Sequence, residues 1–147
     1  MEKCIFCRIA NKGLPSFKID ENEKYITFMD IFPPTFDGKV TMPVVLITTK
    51  EHKGSNVFED LDEDEYNSLL GYTRKVAKAI QKALLCDRVC LVFEGLEIDH
   101  IHPKLYPVFS DTYPGYLSTE KSVGNKDIKA PDALLNELAE KISAELR

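Results

Sequence analysis

The stretch Ile98-Asp-His-Ile-His-Pro-Lys-Leu-Tyr-Pro-Val108 decides how this chain reads. It follows a turn at Gly95-Leu-Glu97 and reads as a strand returning beside Val89–Glu94. Pro103 and Pro107 mark it as an edge or a bulge rather than a regular central strand. Successive side chains on a strand point to opposite faces, so His100, His102 and Lys104 share one face. At the usual rise per residue the three form a row about 13 Å long. Two imidazoles and an ammonium side by side suit an anion such as a phosphate. One imidazole can attack phosphorus while a neighbouring cation neutralises developing oxygen charge. The plainer alternative is a polar strand face turned to water. Only three His occur in the chain, and two of them stand here with Lys at the same spacing, which favours function.

Outward from this strand, Asp62 to Leu85 is the clearest helix. Tyr66, Leu69, Leu70, Thr73, Val76, Ala77, Ile80 and Leu84 keep helical spacing, with Lys and Arg between them. Asp62 with Glu65 three residues on has the pattern of a capping box. Tyr25–Asp30 and Val44–Thr49 read as strands, separated by an irregular loop over 33–43 with a turn signal at Asp37-Gly38. Residues 1–12 read as a short helix or turn. Residues 110–130 read as loop, with a turn at Tyr113-Pro-Gly-Tyr116. Beyond Pro131, Leu134, Leu138, Ile142 and Leu146 recur every four residues, predicting a C-terminal amphipathic helix. The fold class expected is α+β, a small and mostly antiparallel sheet carrying one long and one shorter helix.

The chain has 147 residues, 44% hydrophobic and 29% charged, an ordinary balance for one domain. Nineteen Lys and Arg against 24 Asp and Glu give a net charge of −5. That disfavours bulk nucleic-acid binding through counterion release. The longest uncharged stretch is the ten residues Val40–Thr49, far short of the roughly 20 a spanning helix needs. The opening Met-Glu-Lys-Cys has no apolar signal core, so a cytoplasmic protein is expected.

Four cysteines are present. In such a chain they are not expected to form disulfides. Cys4 and Cys7 form a C-x-x-C pair, which fits either half of a zinc site or a redox pair. A redox pair should follow a strand and open a helix, and here no strand precedes it, so metal is favoured. Cys86 and Cys90, beside Leu84, Leu85 and Leu91, read as small buried hydrophobes.

These residues resemble the histidine-triad (HIT) nucleotide hydrolases and transferases over most of the chain. Cys4-Ile-Phe-Cys-Arg-Ile9 resembles the family's opening segment, and Phe28-Met-Asp-Ile31 its F-x-D-I. Val45-Leu-Ile-Thr-Thr-Lys-Glu-His52 resembles its L-V-I-P-K-x-H. The helix 62–85 corresponds to its long helix, and His100–Tyr106 to its H-φ-H-φ-H-φ-φ signature. Their order along the chain makes the resemblance specific. It implies a HIT-like α+β fold with about five strands, one long helix and a C-terminal helix, usually as a homodimer with joined sheets. It implies a domain over 1–110 and an extension over 111–147, whose helix packs on that domain or its dimer partner. Tyr113–Thr119 is similar to a segment of one prokaryotic-type branch.

The resemblance also implies roles, residue by residue. His102 matches the nucleophile that forms a nucleotidyl-histidine. Asp30 matches the acid that accepts hydrogen bonds from the ribose hydroxyls, and a carboxylate can take both donors. Ile5, Phe6, Ile9, Phe28 and Ile31 match the apolar pocket for the base. Cys4, Cys7, His52 and His100 match the ligands of a structural zinc, one per chain, whose shell four ligands close. Lys104 stands at the third His of the signature, where it can bind phosphate as a point charge. The Gly-His that often precedes the second strand is absent, and Val44 lies near that place. The loop 36–43 is longer than usual and carries Lys39. The turn Glu94–Asp99 is shorter than the usual Gly-rich loop, and Asp99 either orients an imidazole or ends the turn.

Three functions follow as expectations. The first is a hydrolase or nucleotidyl transferase acting on an adenylated or dinucleoside polyphosphate substrate, with Lys104 and backbone N–H groups near Gly95 stabilising the charged oxygens. The second is a nucleotide-binding module with weak or no chemistry. The third is a zinc-stabilised interaction protein that holds a partner with its C-terminal helix. The partners expected are a nucleotide or nucleotide conjugate and a second copy of the chain, with no membrane.

Overall fold

The computed structural model describes residues 3–36, 39–109 and 128–147. The turn at Asp37-Gly38 and the loop up to residue 127, including Tyr113–Thr119, lie outside the described residues. In chain order the elements are α1 (Ile5–Ala10), β1 (Lys18–Glu21), β2 (Tyr25–Met29), β3 (Thr35–Phe36), β4 (Lys39–Val40) and β5 (Val45–Thr49). They continue with α2 (Glu63–Leu84), β6 (Arg88–Val92), β7 (Lys104–Val108) and α3 (Asp132–Leu146). Five strands form one antiparallel sheet in the order β1-β2-β5-β7-β6, and β3 and β4 pair separately. The α+β architecture read from the sequence is the architecture observed.

Both faces of the central strands β2 and β5 are covered, and the period of two sorts their side chains between the faces. Every residue of β2 and β5 is buried. Tyr25, Met29, Val45 and Ile47 belong to the main core, under α2 and α3. Ile26, Phe28 and Leu46 point the other way and pack with Phe6 and Ile9 of α1. The register extends this second face across the sheet. Phe28 pairs with Leu46, Leu46 with Lys104, and Lys104 with Val92. That row is the floor on which the functional residues stand.

The long helix starts where its capping box predicts. The Asp62 carboxylate accepts from Glu65 N–H at 2.8 Å, and Glu65 accepts from Asp62 N–H at 3.0 Å. It ends at Leu85, in the left-handed region at φ 53°. Leu69, Val76, Ala79 and Ile80 carry its buried stripe. In α3 the buried stripe is Leu135, Ala139 and Ile142, while Leu134 is only half-buried. The face is therefore rotated from the every-fourth-residue reading. It packs against α2 and β1 of its own chain.

Four local readings need correction. First, β1 was not legible: only Ile19 of Lys-Ile-Asp-Glu is buried, as expected of a charged edge strand. Second, the loop over 33–43 contains the β3–β4 pair. Third, the returning strand begins at Lys104, not Ile98: before it only the Pro103 carbonyl meets β5, accepting from Ile47 N–H at 3.1 Å. Ile101 N–H donates to Lys53 O, and Pro103 has no N–H to give. Pro107 is tolerated because the β5 ladder reaches only Lys104 and Leu105. Fourth, Cys90 is exposed on β6, whereas Cys86 is buried as expected.

Candidate active site and metal centre

The metal cluster assembles from three places in the chain. Cys4 caps α1 and Cys7 lies in its first turn. His52 follows β5, and His100 lies just before β7. One donor atom from each, among Cys4, Cys7, His52 and His100, falls within 4.8 Å of all the others. Cys4 Sγ lies 3.3 Å from His100 Nδ1, and Cys7 Sγ lies 3.2 Å from His52 Nδ1 and 3.5 Å from His100 Nδ1. A tetrahedral zinc with bonds of about 2.3 Å to sulfur and 2.0 Å to nitrogen sets each S–N edge near 3.5 Å. The donor set and its spacing therefore fit zinc.

The surroundings hold these donors in the form a metal needs. His100 is fully buried, and burial lowers its pKa to about 4, so the ring is neutral. Its Nε2–H donates to Thr49 O at 2.9 Å, which leaves Nδ1 with the lone pair that faces the thiols. Burial, with Cys4 alongside, raises the Cys7 thiol pKa, and a bound cation would reverse that preference. Asp99 lies within electrostatic reach of His52 and His100, but its hydrogen bonds go to Ser55. Its carboxylate accepts from Ser55 N–H at 2.8 Å and Ser55 Oγ–H at 2.9 Å, latching the loop after β5 to the loop before His100.

His102 lies beyond this cluster, on the α1 side of the sheet. Its ring centroid is 4.8 Å from that of Phe6. Its Nδ1 donates to the carbonyl of His100 at 2.5 Å, so the lone pair resides on Nε2. Burial pushes its pKa below the ordinary imidazole value. Around it stand Lys104, Glu94 and Asp30, all near enough to act on its charge. Asp30 follows β2, and burial raises its carboxyl above the ordinary range. One of its oxygens, Oδ1, accepts from Phe32 N–H at 2.9 Å.

The structure brings most of the sequence-derived residues together, with four differences. Phe6, Ile9 and Phe28 form one apolar cluster with Ile26 and Leu46, but Ile5, one turn before Ile9, stays 44% exposed at the start of α1. Ile31 packs against the main core instead. His100 is drawn into the metal cluster, so the face shared by three residues does not exist as an extended row. Lys104 is not a free cation: its ammonium contacts Glu94 Oε1. Glu94 and Ser55 were missed by sequence reasoning. Glu94 stands two residues beyond Val92, the register partner of Lys104, a relation that only the strand pairing reveals.

No family model matches the chain. It is 32% identical over 109 residues to the adenosine 5'-monophosphoramidase of Saccharomyces cerevisiae, covering 71% of this chain and 61% of that protein. It is 35% identical over 83 residues to an uncharacterised HIT-like protein of Borreliella burgdorferi. That match covers 56% of this chain and 53% of the relative, so the chain spans about half the relative's length. A zinc-bound histidine triad family protein from Mycobacterium smegmatis has the same fold, with a TM-score of 0.73 at 22% identity over 99% of this chain and 94% of that one. Fold and site define an α+β protein with a Cys2His2 cluster beside a buried imidazole. The chain belongs to the histidine-triad family.

Proposed function

We propose that this chain is a nucleotide hydrolase or nucleotidyl transferase that works through a nucleotidyl intermediate on His102. The observation that carries this reading is the His102 hydrogen bond, which commits Nδ1 to a backbone carbonyl and leaves the lone pair on Nε2. The relationship to a yeast adenosine 5'-monophosphoramidase supports it. The Nε2 lone pair forms a bond to the α-phosphorus. The bond to the leaving group breaks, and its electron pair departs with that group, which takes a proton from solvent. Water then attacks phosphorus, the N–P bond breaks, its pair returns to Nε2, and the water's proton passes to solvent. Phe6, Ile9 and Phe28 would hold the base, and the free Asp30 oxygen the ribose hydroxyls. Lys104, once shared with the substrate, would stabilise charge on phosphate oxygens. Bound zinc would supply a closed structural crosslink through Cys4, Cys7, His52 and His100.

The edge strand β6 is read as the surface for a second copy. Leu91 and Val92 are exposed there, and β7 occupies its other side. The decisive experiment for catalysis uses a nucleotide substrate radiolabelled at the α-phosphate. Acid-labile label should appear on the wild-type protein and be absent from His102→Asn. A substrate consumed with no label trapped at any time would refute the intermediate. Thermal stabilisation by nucleotide without turnover would favour a binding module instead.

A further inference from the structure

Lys104 stands on β7 between Leu46 of β5 and Val92 of β6. Neither register neighbour can answer its charge. Glu94 does so, from two residues past Val92. The two side chains are only 17% and 25% exposed, so the pair is largely shut off from water. Parting it would leave two partly desolvated charges alone, which is far costlier than parting a surface pair. A phosphate that calls on Lys104 must therefore compete with a carboxylate already in place. A second carboxylate, Asp30, lies within electrostatic reach of both members. Two acids thus face one cation beside His102. Such a balance tolerates the single charge of a nucleoside phosphate diester or amide, but it opposes further phosphates on the leaving group.

We propose that Glu94 is the specificity-determining residue of this site, holding Lys104 so that uncharged leaving groups are preferred over polyphosphates. This rests on the nucleotidyl-transfer reading above and narrows its substrate class. Glu94 forms no bond to the substrate. The bond broken remains that between the α-phosphorus and the leaving atom, and Glu94 changes only the charge tolerated on the departing group.

The test compares kcat/KM for an adenosine phosphoramidate and for a diadenosine polyphosphate in wild type, Glu94→Gln and Lys104→Met. Glu94→Gln should shift the ratio toward the polyphosphate by about tenfold or more, the size expected for releasing one nearby cation. In a Lys104→Met background the same substitution should shift the ratio less than half as far on a logarithmic scale, because no cation is left to release. A merely structural Glu94 would lower both activities together and leave the ratio alone, which would overturn the proposal. Calorimetric affinities for AMP and ATP provide a second arm that needs no turnover. Glu94→Gln should tighten ATP relative to AMP by about tenfold. Absent turnover in wild type would refute the catalytic reading, whereas an unchanged ATP-to-AMP ratio would refute the role of Glu94.

Discussion

The Nδ1 of His102 lies 2.5 Å from the carbonyl oxygen of His100, so one histidine's backbone fixes the tautomer of the next. His100 is itself held by Thr49 and faces the thiols of Cys4 and Cys7. One ligand of the Cys2His2 cluster, His100, and the proposed nucleophile, His102, thus lie in one short segment. His102→Asn should lower kcat by several orders of magnitude, because an amide cannot form the phosphoryl bond. AMP affinity, measured by calorimetry, should stay within about threefold, since Phe6, Phe28 and Asp30 are untouched. Full turnover in this variant would defeat the mechanism.

Asp30 accepts from Phe32 N–H with Oδ1, and in the proposed nucleotide complex its other oxygen takes the ribose hydroxyls. Asp30→Asn keeps an acceptor for Phe32 but loses the charge. Removing a charged hydrogen-bond partner costs about 1.5–3 kcal/mol. The expected result is AMP binding weakened by that amount, with an unchanged melting temperature. If calorimetry gives the wild-type affinity, Asp30 does no more than end its strand.

The sequence carried the pieces whose signal is local. The capping box at Asp62 and Glu65, the all-buried β2 and β5, and the C-x-x-C at a helix start could each be read within a few residues. What it could not carry depends on topology. Lys104 meets Glu94 only because β6 and β7 pair in the register that sets Val92 against it. β1 hid because a charged edge strand looks like loop, and its one buried residue, Ile19, gives no alternation to detect. The face shared by His100, His102 and Lys104 assumed a ladder. Pro103 and the Ile101–Lys53 bond prevent one, and His100 turns to the thiols instead. Ile5 lies one turn before Ile9 on α1 yet stays 44% exposed, and exposure at a helix start is not something a match of positions conveys.

Removal of one thiol should release the metal. Cys7 is buried and lies near both imidazoles, so Cys7→Ser would leave three ligands and a poor fourth. Structural zinc contributes about 10–16 kcal/mol of apparent binding free energy in small domains. Even a fraction of that is several kcal/mol of folding stability. Wild-type protein purified without chelator should hold about one zinc per chain by elemental analysis, and Cys7→Ser should hold far less and melt earlier. A metal-free wild type would sink the zinc reading.

The loops bearing His52 and His100 are joined through Gly95, and that junction can be tested. Gly95 adopts φ +56°, where an alanine is strained by about 1–2 kcal/mol. A Cβ there would also lie 2.5 Å from Ser55 Cβ and 2.8 Å from Ser55 Oγ, closer than packed atoms approach. Ser55 cannot yield freely, because its N–H and hydroxyl both bond to Asp99, the residue before His100. Gly95→Ala should therefore push the loop after β5 away from the loop before β7. The expected losses are about 2–4 kcal/mol of stability, strain plus the clash, and faster zinc release to a chelator. Gly95→Ala combined with Ser55→Gly removes the clash but keeps the strain. It should recover part of the stability and restore slow zinc release, since Asp99 can still accept from the residue 55 N–H. If Gly95→Ala loses only the stability that strain accounts for, and releases zinc at the wild-type rate, the two loops are not coupled through this contact.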